Sequence, residues 1–176
     1  MAKWKDFPYN ATAYTHDVAA LKKHWARLHQ GDAEPLPKDE AVLAAWALFH
    51  AGRFHEAHDA GLKAGGAGVT VANKAQSIYA NYLETSEKTR LAMFLEVAER
   101  AEAQAKSDPQ AANAHYWAAY ALGRYSQGIS VAKALEPESA SVTLARGAWH
   151  VLSLLTPYLE PASREHLHTL AGAYQS

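Results

Sequence analysis

Alanine supplies 38 of the 176 residues, against 8 valines and 2 isoleucines. Alanine loses least on entering a helix, whereas strands draw on β-branched and aromatic residues. The chain therefore reads as all-α, without a substantial sheet. A chain of this length can bury one core unaided. It contains no cysteine, so disulfides and thiolate catalysis are excluded.

Apolar spacing and breakers predict about nine helices. Val18, Leu21, Trp25 and Leu28 recur three and four apart, which predicts a helix over 15–29. Gly31, Pro35 and Pro37 end it and open a linker. Two short helices follow from Asp39, joined at Gly52 and ended by Gly65, Gly66 and Gly68. Further helices are expected over 71–84 and 87–106, the second capped by Ser86 and stopped by Asp108 and Pro109. Segments 110–123 and 125–135 read as a hairpin pivoting on Gly123, and Pro137 and Pro161 open the last two helices.

The chain repeats itself. WALFHAGRFHEA, from Trp46, aligns without gaps on WAAYALGRYSQG, from Trp117. Gly52 then matches Gly123, Arg53 matches Arg124 and Phe54 matches Tyr125. The 71-residue offset is twice a unit of about 35 residues. Units beginning near Lys38, Asn73 and Pro109 resemble the tetratricopeptide repeat over residues 38–135. In that register Ala45, Ala80 and Tyr116 take the first small-residue position, and Ala57, Ala92 and Gly128 the second. Tyr116 is large for its place, and Glu87 stands where the middle unit would have its turn glycine. The resemblance implies a right-handed α-solenoid of helix-turn-helix units in one domain, with an N-terminal helix and linker over 1–37 and capping helices over 136–176.

The same resemblance implies a concave groove lined by the first helix of each unit. Its positions carry over as Asp39, Val42, Trp46 and Phe49, then Lys74, Ser77 and Asn81, then Gln110, Asn113, Trp117 and Tyr120. Trp46, Phe49, Lys74, Asn81, Asn113, Trp117 and Tyr120 are the candidate peptide-binding residues, because aromatic anchors beside amides suit an extended segment of another protein. Lys74, Asn81 and Asn113 supply the chemistry of the carboxylate clamp found in some members of the family, but not its placement. The N-terminal helix with Trp25 is an alternative occupant of that groove, and Trp46 and Trp117 as ordinary core residues are the alternative to an open one. On this reading the protein is a non-enzymatic adaptor without a cofactor.

Other constellations carry less. His55 and His58 in HEAH share a helical face and could chelate a metal, one residue short of the HExxH spacing. A helical metal-binding protein is thus one alternative, and a homo-oligomer built on the aromatic surface another. KAGGAGV follows a helix, not a strand, and so lacks the context of a phosphate loop. With 17 basic and 18 acidic side chains the chain carries no excess of cations for nucleic acid. Lys22, Lys23, His24, Arg27 and His29 read as a solvated helical face. No segment reads as a leader or a membrane span, so a cytoplasmic protein is expected.

Overall fold

The structure, a computed structural model, describes residues 4–128 together with the helical residues 146–148, 150, 151 and 154. A single 3-10 turn, Thr12–Tyr14, precedes six α-helices: α1 (Val18–Leu28), α2 (Glu40–His50), α3 (Phe54–Ala64), α4 (Gly68–Tyr82), α5 (Glu87–Ser107) and α6 (Ala112–Gly128). Among the described residues there is no strand. Three helices start on side-chain caps: Asp17 accepts from the Ala20 N–H, Asp39 from the Ala41 N–H and Ser86 from the Thr89 N–H.

From α2 onward each helix packs on the next, and α4 also touches α2 and α6. The helices α2, α4 and α6 therefore lie side by side. Leu21 and Trp25 of α1 join Val42, Leu43 and Trp46 of α2 in the first part of the core. Tyr79, Phe94, Val97 and Leu122 build the second, between α4, α5 and α6. The N-terminal segment closes over one side. Trp4 stacks on Tyr79 at 4.4 Å between ring centroids and also covers His55 and His58.

The backbones of α3 and α4 meet at two glycines. A Cβ added at Gly61 would sit 2.5 Å from the Gly68 carbonyl oxygen, and one at Gly68 would sit 2.5 Å from the Gly61 carbonyl oxygen. Gly68 thus belongs inside a helix contact and not to a linker, and α4 begins three residues before the expected Val71. Gly65 and Gly66, at φ of +67° and +50°, make the turn that lets it do so.

Two expectations need correction. The helix count is seven among the described residues, the 3-10 turn included, and not about nine. The difference within the described chain lies at Gly123, where the hairpin pivot was expected and α6 instead runs straight through. Gly52 turns the chain at φ +75° with the Phe7 ring packed against it, whereas Gly123 is a helical, exposed residue with nothing within 4 Å of its Cβ position. Trp117, Ala118, Ala121 and Leu122 are buried just before the glycine and Tyr125 packs just after it, which outweighs the roughly 1 kcal/mol that one helical glycine costs. Ala92, assigned to a close helix crossing, is exposed. The expected helices over 136–156 and 162–174 lie outside the described residues apart from the few named above.

Gly123→Ala is accordingly expected to raise stability by about 0.5–1 kcal/mol, read as an upward shift of the thermal midpoint. A glycine turning the chain as Gly52 does would lose stability on the same substitution.

Candidate functional site

The face made by α2, α4 and α6 is covered on one half by the chain itself. Between α1 and α2, residues Gln30–Pro37 form a strap tied to α4 and α6, with His29 at its root against α2. The Asp32 carboxylate accepts from Lys74 Nζ of α4, and Glu34 Oε2 accepts from Asn113 Nδ2 of α6. His29, at the root of the strap, meets the Trp46 ring of α2 edge-on at 4.5 Å and stacks on Trp25 at 4.0 Å. The Trp25 indole N–H donates to the Glu34 carbonyl at 2.8 Å. α1 ends at Leu28 with His29 as its C-cap, the Ala33 N–H closes a turn on the His29 carbonyl at 2.8 Å, and Pro35 and Pro37 keep the backbone after it out of a helix.

The charges along this strap are unequal in comfort. His29 Nδ1 donates to Asp32 at 3.0 Å, and Lys74 completes the pair. Burial alone would raise the Asp32 pKa, but these two partners hold it well below the ordinary carboxylate range. Glu34 is only 8% exposed and has an amide for its direct partner. Burial, with Asp32 nearby, pushes its pKa up to about 7 against the opposing bond from Asn113. His50 Nε2 faces His29 Nε2 at 3.2 Å. Burial, then repulsion from His29, Lys74 and His16, pushes the His50 pKa down to about 4, so His50 is neutral at neutral pH. Ala33 sits between the two acids at φ +48°, a left-handed conformation that disfavours a residue with a Cβ.

The pH dependence of stability follows from these signs. Glu34, raised from 4.5 to about 7, favours folding below pH 4.5 and loses that contribution as pH rises to 7. His50, lowered from 6.5 to about 4, loses its contribution as pH falls over that interval. The two oppose each other between pH 4.5 and 6.5. Glu34→Gln keeps an acceptor for Asn113 without the charge. It is expected to match wild type at pH 4.5 and to exceed it by on the order of 1–3 kcal/mol at pH 7.5, in urea titrations at both pH values.

The seven groove residues fall into two groups. Trp46, Phe49, Lys74 and Asn113 lie under or against the strap. Trp46 is fully buried, Phe49 packs edge-on against it, and Lys74 Nζ stands 5.3 Å from the centroids of both rings. Asn81, Trp117 and Tyr120 lie beyond it. Asn81 Oδ1 accepts from Arg124, Trp117 is buried, and Tyr120 packs edge-on against Trp117 and Phe94. Tyr116 and Tyr82, which the groove register omits, stand 43% and 71% exposed near Tyr120.

Asp32, Glu34 and His50 have no assigned role in the sequence. The legible signal was an Asp and a Glu two apart between a glycine and a proline; their partners are 42 and 79 residues away and left no trace in spacing. His29 also leaves the solvated face assigned to it, since it is 2% exposed. A second polar cluster, between α4 and α5, was missed as well. Arg100 donates to Asn73 Oδ1 at 2.7 Å and Gln76 Oε1 at 2.6 Å, and Gln104 donates to Thr70 at 2.9 Å. His55 and His58 do not converge as ligands: both face Asp59, and His58 also approaches Arg100. Among the described residues no three His, Asp or Glu side chains are grouped to hold a metal ion. No helix described here is long and apolar enough to cross a membrane. A half-open cleft of about 360 Å³ lies between Trp4, Phe7 and Tyr9 and the α2–α3 turn at Arg53.

Compared with protein-family models, curated proteins and solved structures, the chain matches none of them.

Proposed function

We propose that the protein is a non-enzymatic interaction module of tetratricopeptide-like helix pairs, which binds an extended segment of a partner protein across α2, α4 and α6. One observation carries this reading: a non-helical stretch of the chain itself, His29–Glu34, already lies there, touching one groove residue on each helix, Trp46, Lys74 and Asn113. A face that seats His29–Glu34 through a ring, a cation and an amide has the means to seat another chain of similar composition. The mechanism is burial against aromatic rings with hydrogen bonds to amides and a lysine, without a chemical step. The uncovered end, with Tyr82, Tyr116 and Tyr120, extends the same surface.

The test is selection of displayed twelve-residue peptides on the Asp32→Asn variant, in which the strap has lost its ion pair. Peptides are expected to emerge that bind in solution and weaken at least tenfold when Lys74→Ala or Asn81→Ala is added. Failure to select any peptide, or binding indifferent to both substitutions, would overturn the reading.

A further inference from the structure

The strap resembles a bound ligand more than a structural linker, for three reasons that do not depend on one another. It is held by a side chain on each of α4 and α6, Lys74 and Asn113, as a guest would be, with His29 at its root on Trp46 of α2. It holds Ala33 in a left-handed backbone conformation, which a segment selected only for stability would give to glycine. It also buries the Glu34 carboxyl against an amide with no direct cation, where burial disfavours the charged form. A segment seated with two such penalties sits close to release. Asp32 is the exception, since its charge is matched by Lys74 and His29.

Resting on the groove reading above, we propose that residues Gln30–Pro37 are an autoinhibitory occupant of this groove, displaced by an internal partner segment with an aspartate for Lys74 and, two residues on, a Glu or Gln side chain for Asn113. The strap continues past both acids, into Gly31 on one side and Pro35 on the other, so the groove receives a chain running through it and not a terminus. The second position needs only an acceptor, because Asn113 offers an N–H and no charge. The tethered strap competes at a high effective concentration, so a partner acts only when it is itself concentrated or when the strap is weakened.

The probe is a synthetic peptide of residues 29–38, added in trans to the isotope-labelled full chain at pH 7.5 and followed by calorimetry and by the protein's Ala33 amide resonance. Asp32→Asn in the protein loosens the strap and should tighten peptide binding at least tenfold. Ala33→Gly relieves its backbone and should weaken binding at least threefold relative to wild type. In the peptide, asparagine in place of Asp32 should reduce affinity at least tenfold, while glutamine in place of Glu34 should leave it equal or tighter. In the wild-type protein, saturating unlabelled peptide should shift the protein's own Ala33 amide resonance as residues 30–37 leave the groove. This last readout and the Ala33→Gly comparison stand even if Asp32→Asn fails to fold. Equal affinity for wild type, Ala33→Gly and any folded Asp32→Asn variant would overturn the proposal, as would an unmoved Ala33 amide signal at saturation or indifference to the peptide's aspartate. If displayed peptides still bind the groove in those cases, the groove reading survives and only the autoinhibitory strap falls.

Discussion

Trp46→Ala is expected to cost about 3–5 kcal/mol of stability and, in a domain of this size, to leave much of the population unfolded at moderate temperature. Trp46 is fully buried, packed edge-on by Trp25 at 5.9 Å, His29 at 4.5 Å and Phe49 at 5.4 Å. Truncation empties the space where α1, α2 and the root of the strap meet, and their backbones cannot all close on it. The indole N–H, however, is buried without a hydrogen-bond partner, a desolvation cost of roughly 1–3 kcal/mol. Trp46→Phe removes that orphan while keeping most of the ring, and should therefore cost far less than the alanine. Urea titration followed by far-ultraviolet circular dichroism separates the cases. A loss below about 1 kcal/mol for Trp46→Ala would mean that the ring is an exposed binding anchor, as the repeat register alone implies.

Gly61→Ala should be the most damaging addition of a single methyl group, at about 2 kcal/mol or more. The new Cβ meets the Gly68 carbonyl oxygen at 2.5 Å and the Ala72 nitrogen at 3.0 Å. Both are backbone atoms in a helix, so no side-chain rotation relieves the contact and α3 must move away from α4. Gly68→Ala confronts the same crossing from the other side. The two substitutions should add less than fully, since the second enters a gap the first has opened. Thermal midpoints of the two singles and the double measure this. Full additivity would contradict a shared crossing point, and a Gly61→Ala protein as stable as wild type would remove it altogether.

Much of the fold could be read from residue order because its signals are local. Asp39 and Ser86 cap helices that begin where those residues suggest, and the turn at Gly52 is marked by its own glycine. The repeat carries less than its identities imply. Trp46 and Trp117 are alike in being buried, but Gly52 and Gly123 share only a letter: one is pinned in a turn by Phe7, the other has no such neighbour and stays helical. The register placed Trp46, Lys74 and Asn113 on neighbouring helices, and they do converge on one segment. What fills that convergence was not legible, since Asp32 and Glu34 find their partners only after α4 and α6 have been brought beside α2.

The Arg100 cluster bears on a difficulty that alanine creates. Two alanine-rich helices form a rail without stops: small, even side chains let one slide along the other with little change in contact. Between α4 and α5 the guanidinium fork on Asn73 and Gln76, with Gln104 on Thr70, supplies the stop. Displacing α5 by one turn, about 5.4 Å, would break all three bonds together and strand their polar atoms against methyl groups. A composition that makes helices easy to form thus relies on a few amides and one arginine to say where each helix must halt.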